Sequence, residues 1–163
     1  MKISDFPVVD APRVAILMGS DSDLEVMAKA HKALGEFGVP ADIKVISAHR
    51  NPKDLEAYIN STTAEVFICG AGMAAHLAGV TAALTPKPVI GVPCLSPYVG
   101  GLDALLAMAQ MPKGVPVATV AINGSQNAGI LAAQILAVGD DDLKEKLVAF
   151  KAQMAEDGRA KNK

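Results

Sequence analysis

A histidine and an arginine stand side by side in Ser47-Ala48-His49-Arg50, directly before Asn51-Pro52. An imidazole changes charge near neutral pH and can move a proton, whereas a guanidinium stays charged and holds an anion. The preceding Ile43-Lys44-Val45-Ile46 alternates as a strand does, and Asn51 before Pro52 reads as an N-cap with proline at the first helical position. His49 and Arg50 therefore fall on a strand-to-helix loop. In an open parallel sheet, such loops at the carboxyl ends of the strands form the ligand crevice. Taken alone, a loop histidine is more often an ordinary surface residue; two further loops shift the weight toward chemistry.

The run Arg13-Val14-Ala15-Ile16-Leu17-Met18 has the length of a buried strand and breaks at Gly19-Ser20-Asp21-Ser22-Asp23 before a helical pattern opens at Leu24. Glycine lets a ligand come close to the backbone, and helix-initiating N–H groups with serine hydroxyls favour an anion such as phosphate. Asp23 suits sugar hydroxyls, so the loop reads as half of a nucleotide site. Helix capping by Ser22 or Asp21 explains the same cluster without a ligand. Neither the dinucleotide glycine fingerprint nor the Walker Gly-Lys-Ser/Thr is present. The third loop, Gly70-Ala71-Gly72-Met73-Ala74-Ala75-His76-Leu77-Ala78-Gly79, follows Val66-Phe67-Ile68-Cys69. Its small residues keep charged side chains out of a pocket, which suits a neutral or labile group shielded from water; close helix–strand packing is the competing explanation. His76, one turn into the helix expected there, reads as a hydrogen-bonded core histidine rather than a ligand.

These loops need a scaffold, and the chain supplies one by alternating strands with helices, the mark of a doubly wound sheet. Strands are expected near 13–18, 42–46, 65–69, 88–92 and 117–121, and helices near 23–37, 52–62, 74–84, 101–110 and 125–138. The first helix has Leu24, Met27, His31 and Leu34 on one face, which makes His31 structural. A last helix near 140–156 aligns Leu143, Leu147 and Phe150. Together with the apolar Ile130-Leu131-Ala132-Ala133-Gln134-Ile135-Leu136, it suggests burial against another subunit. Residues 13–156 then form a single domain, 1–12 an N-terminal extension and 157–163 a polar tail expected to fray.

At 163 residues the chain fits one domain with a sizeable core. Although 51% of it is apolar, no uninterrupted stretch reaches the roughly 18 residues of a membrane span. Met1-Lys2-Ile3-Ser4-Asp5 does not open a signal peptide, so a cytoplasmic location is expected. A net charge of −2 gives no general attraction to nucleic acid, and four Phe, two Tyr and no Trp leave little to stack on bases. Cys69 and Cys94 read as buried thiols rather than a disulfide. No Cys-x-x-Cys and no metal-site spacing of the three histidines occurs, so neither metal nor cofactor is expected.

Jointly and in order, several motifs resemble the N5-carboxyaminoimidazole ribonucleotide mutases of purine biosynthesis (PurE, class I). They are Gly19-Ser20-Asp21-Ser22-Asp23, Ser47-Ala48-His49-Arg50, Gly70-Ala71-Gly72 with Ala74-Ala75-His76-Leu77, Gly91-Val92-Pro93, Gly101-Leu102-Asp103, Gln110-Met111-Pro112 and Ala128-Gly129-Ile130-Leu131-Ala132-Ala133. The resemblance covers about residues 13–150. It implies an α/β, flavodoxin-like three-layer sandwich with a five-stranded parallel sheet plus a C-terminal helix, a homo-octamer, and a reaction that moves a carboxylate from the exocyclic nitrogen of an imidazole ribonucleotide to ring carbon C4.

Residue by residue, the resemblance implies that Ser20, Asp23 and Arg50 bind the ribonucleotide with help from Ser22 and Ser47. His49 matches the catalytic histidine, and Gly72, Ala74, Ala75, His76 and Leu77 match the loop around the migrating carboxyl group. Gln110-Met111-Pro112 matches a piece that helps complete the site in the oligomer. The N-carboxylate is a carbamate and loses carbon dioxide without metal, biotin or triphosphate, so the protein has only to bind, exclude water and manage one proton. Met73 stands where the family usually has a second glycine, Ala78 where it usually has proline, Ala104 and Ala107 where serines are common, and the segment between Tyr58 and Glu65 is a few residues short. Three other readings stay open: a carboxylase using free carbon dioxide, a related enzyme for another nucleotide, and a non-catalytic binding module. The last has no need of the imidazole of His49.

Overall fold

The central strands are apolar along their whole length because both of their faces are covered. A computed structural model describes residues 1–162. It contains five strands, β1 (Val14–Met18), β2 (Ala41–Val45), β3 (Val66–Ala71), β4 (Val89–Pro93) and β5 (Ala118–Thr119). The helices are α1 (Leu24–Glu36), α2 (Pro52–Ser61), α3 (Leu77–Leu84), α4 (Leu102–Ala109), α5 (Ser125–Leu136) and α6 (Asp141–Ala160). All strand pairs are parallel, in the order β2-β1-β3-β4-β5. The chain leaves β1 toward β2 on one side and returns to β3 on the other, so the loops after β1 and β3 open the crevice where the winding reverses.

On one face, Val14, Ile16, Met18, Ile68, Ile90 and Val92 pack under α1, α5 and α6. On the other, Ala15, Leu17, Phe67 and Cys69 pack under α2, α3 and α4. Small residues set how closely these layers approach: a Cβ on Gly129 of α5 would lie 2.7 Å from the Ala30 carbonyl oxygen of α1. Within β3, a Cβ on Gly70 would lie 2.3 Å from Met27 Sδ, so this position makes room for the α1 methionine.

The C-terminal helices cover part of their apolar surface with their own chain, while Ile130, Leu131 and Ile135 of α5 stay half-buried. Ala128, Ala132 and Ala133 of α5 are fully buried, and Leu143 and Leu147 of α6 close the core beside Phe37. Phe150 meets Phe37 edge to face, with ring centroids 5.3 Å apart. The start of α6 is anchored by Asp140, whose carboxylate accepts from Leu143 N (3.0 Å) and from Arg13 Nη1 (2.6 Å). These bonds hold the Asp140 carboxyl below its usual range. Val138, Val148 and Met154 are large apolar side chains left outward on this part of the chain.

Three boundaries differ from expectation. The tail is helical as far as Ala160, supported by Gln153 Nε2 donating to Asp157 Oδ1 (2.7 Å) and by the Arg159–Glu156 pair; Lys163 lies outside the described residues. Helix α3 starts at Leu77 rather than near 74, because Met73 and Ala75 adopt positive φ and cannot be helical. Strand β5 shrinks to two residues at the sheet edge. In the N-terminal segment, Ile3 and Phe6 lie against the core, and Phe6 meets His31 edge-on at 5.0 Å. Burial there pushes the His31 imidazole below its usual value, in keeping with a structural role.

Candidate active site

Parallel strands deliver their carboxyl ends to one side of the sheet, and there the loops after β1, β2, β3 and β4 surround a cavity of about 420 Å³. Ser20, Ser22, Asp23, Ser47, His49, Gly72, Ala74, Ala75, His76 and Leu77 all line it, whereas Arg50 is not part of the lining. The guanidinium of Arg50 donates to the Gly19 carbonyl, which ties the second loop to the first and sets a permanent cation beside the serine cluster.

In the first loop Ser20, rather than Ser22 or Asp21, does the capping: its Oγ accepts from Ser22 N at 3.3 Å ahead of a short 3-10 turn, Asp21–Asp23. Asp23 is half-buried, and desolvation raises its carboxyl above the usual range while a hydrogen bond with the Ser22 side chain partly opposes this. A carboxylate so placed gains from hydroxyl donors.

The second loop is folded around Ser47. This buried hydroxyl accepts from His49 N (3.3 Å) and Arg50 N (3.2 Å). Asn51 holds the N-cap position with Pro52 behind it, yet its Oδ1 accepts from Ser47 N (2.8 Å) instead of from a helix N–H. The asparagine therefore shapes the loop that carries His49 and Arg50.

The third loop turns through Met73 (φ 52°) and Ala75 (φ 49°), with Ala75 N donating to the Gly72 carbonyl at 3.1 Å. This turn overturns the reading of His76 as a core histidine. Its ring is exposed, and its Nδ1 lies 2.6 Å from His49 Nε2, with the ring planes 72° apart. From Ala71 to Ala75 no charged side chain enters the cavity wall.

A fourth loop, unassigned at sequence level, completes the wall with Leu95, Ser96 and Pro97. Ser96 is buried and donates to Asp103 Oδ1 at 3.2 Å, which gives the Gly101-Leu102-Asp103 motif a positioning task. Gly100 and Gly101 take φ of 65° and 84° in this loop, where a side chain would be unfavourable. The signal for it was topological: a fourth parallel strand must end beside the other three. Cys94 lies under this wall, its thiol pushed up to about 12 by burial and by the charge of Asp23, so it stays protonated. Gln110-Met111-Pro112 lies off the cavity, with Met111 packed close to Gly79 of α3. Among the described residues no group of three or more His, Cys, Asp or Glu is placed to hold a metal ion.

The arrangement combines a cation and hydroxyls for an anion, a carboxylate for hydroxyl groups, two linked imidazoles for a proton and an uncharged wall. A family model described as AIR carboxylase matches residues 13–157. A Mycobacterium tuberculosis protein named N5-carboxyaminoimidazole ribonucleotide mutase is 49% identical over 159 residues, covering 96% of this chain and 91% of the relative. A Pyrococcus abyssi protein of the same name is 52% identical over 149 residues, 90% of this chain and 86% of its own. Among solved structures, a variant of Treponema denticola PurE2 superposes with a TM-score of 0.84 at 26% identity, covering 93% of this chain and 96% of that one.

Proposed function

This chain belongs to the AIR carboxylase family, and from that premise we propose that it converts N5-carboxyaminoimidazole ribonucleotide to 4-carboxy-5-aminoimidazole ribonucleotide in purine biosynthesis. It is an isomerase of the mutase type. One observation carries this reading: relatives bearing the mutase name are about half identical to the chain along nearly their whole length.

In the reaction the carbamate releases carbon dioxide, the nitrogen takes up a proton, and the enamine-like C4 attacks the carbon dioxide held beside it. Loss of the C4 proton then restores the aromatic ring. His49 takes that proton and returns it to the nitrogen side in the next turnover, so the protein ends each cycle unchanged. Gly72, Ala74, Ala75, His76 and Leu77 enclose the migrating carbon dioxide. Arg50 and Ser20 hold the phosphate with help from Ser22. The Ser47 hydroxyl already accepts two N–H groups, which leaves its own hydrogen to donate to a phosphate oxygen. Asp23 accepts from the ribose hydroxyls. The reading extends to a cytoplasmic homo-octamer in which Gln110-Met111-Pro112 helps complete the site; no helix among the described residues is long and apolar enough to cross a membrane.

Loss of Arg50 removes a charge-assisted contact of roughly 1.5–3 kcal/mol. The variant Arg50→Ala is expected to bind the ribonucleotide more than tenfold more weakly in titration calorimetry. Affinity equal to the parent's would show that Arg50 is not the phosphate ligand.

The experiment that tests the activity is isotopic. The Ala71 to Ala75 wall carries no charged side chain to capture bicarbonate, and carbon dioxide held beside C4 by this loop replaces a high external concentration by proximity. Labelled carbon dioxide in solution is expected to enter the product slowly relative to turnover, and the bare aminoimidazole ribonucleotide is expected to react only when bicarbonate is abundant. Efficient carboxylation of the bare nucleotide at low bicarbonate, without preference for the carbamate, would assign the chain as a carboxylase instead.

A further inference from the structure

The contact between the two imidazoles limits their protonation. At 2.6 Å, His49 Nε2 and His76 Nδ1 have room for no more than one proton between them, since two N–H groups cannot face each other at that separation. The backbone of His76 is anchored independently: its carbonyl accepts from Val80 N at 2.9 Å, and it sits at the N-cap position of α3 directly after the left-handed, buried Ala75. The ring takes no part in capping that helix, so it is left to meet His49 across the gap between the second and third loops.

We propose that His76 is the positioning residue for His49: it fixes the ring and the tautomer of His49 through a single shared proton and leaves His49 Nδ1 as the nitrogen that exchanges a proton with the substrate. The inference rests on the reading of His49 as the group that moves the C4 proton. It adds that the acid–base residue is held by a side chain of the loop that encloses the carboxyl group, so the nucleotide-binding loop and the carboxyl loop must be in register for proton transfer.

The test compares His76→Ala, His76→Asn and His49→Asn. His76→Ala is expected to lower kcat by roughly 10- to 100-fold, the usual scale for losing a partner that orients a reacting group, with KM nearly unchanged. Asparagine places Oδ1 as many bonds from Cα as Nδ1 of histidine, accepts from His49 Nε2–H and restores most of the rate. With three histidines in the chain, 15N NMR resolves the His49 ring, which is expected to be one tautomer in the parent and in His76→Asn but a mixture in His76→Ala. Parent-like kcat in His76→Ala, a rise in KM alone, or an asparagine variant as slow as alanine would each overturn the positioning role. Full activity in His49→Asn would remove the reading beneath it, while the tautomer measurement judges the contact itself without reference to activity. The exposed His76 ring makes equal melting temperatures the expected control.

Discussion

Replacing His49 with asparagine is expected to lower kcat by at least about 100-fold and to leave folding and nucleotide affinity nearly intact. An amide neither takes up nor releases a proton near neutral pH, so the variant loses the step in which C4 gives up its hydrogen. The fold survives because the His49 ring is exposed and covers no core residue. The loop survives because Ser47 Oγ binds the backbone N–H of residue 49, which any side chain retains. Single-turnover measurement with the N-carboxylated nucleotide, beside calorimetric titration of the product, separates the two quantities. Turnover close to the parent's would take the acid–base role away from His49.

Ending the chain after Gly139 is expected to abolish the soluble, folded protein. The cut removes Leu143 and Leu147, whose burial contributes about 3–6 kcal/mol together, and the Phe150 ring that meets Phe37. It also removes Asp140, the partner of Arg13 at the foot of β1. Set against a domain stability of about 5–15 kcal/mol, that loss is a large fraction of the total. Recovery from the soluble fraction and a melting curve decide the outcome, and a soluble fragment melting like the parent would show that α6 is dispensable. The intact chain is expected to scatter light as a closed oligomer at micromolar concentration; a monodisperse monomer would contradict the proposed octamer.

The sheet was legible because β1, β3 and β4 are apolar throughout and each breaks into a loop rich in glycine, serine or proline. A strand covered on both faces announces itself by unbroken hydrophobicity, and its carboxyl end then points to the crevice. Ser20, Asp23 and Gly72 follow from that rule, whereas His49 follows the alternating β2 and is placed by the Asn51-Pro52 helix start behind it. Ser96 was missed, although the rule applies equally to β4, since no titratable or unusual residue drew attention there. His76 was misplaced for a different reason. Periodicity carries Ala74 to Leu84 as one apolar helix, and nothing in the side chains of Met73 or Ala75 announces a left-handed backbone. The destination of α5 and α6 was also hidden: an apolar helix face is written the same way whether its own chain or a neighbour covers it. Only the close fit of Gly129 against Ala30 settles that α1 is the partner of α5.

The two left-handed residues of the carboxyl loop bear on binding as well as on shape. A methionine and an alanine in this region each cost about 1–2 kcal/mol relative to ordinary backbone, and that cost is met when the chain folds. Met73 is largely exposed, so neighbouring packing does little to hold it there; buried Ala75, with its N–H on the Gly72 carbonyl, secures the turn from the other side. A loop prepared in this way has little conformational freedom left to surrender when a ligand arrives. Glycine at position 73 would ease the backbone while enlarging the set of shapes open to the empty loop, and part of the affinity for the transferred group would then be spent on reordering it.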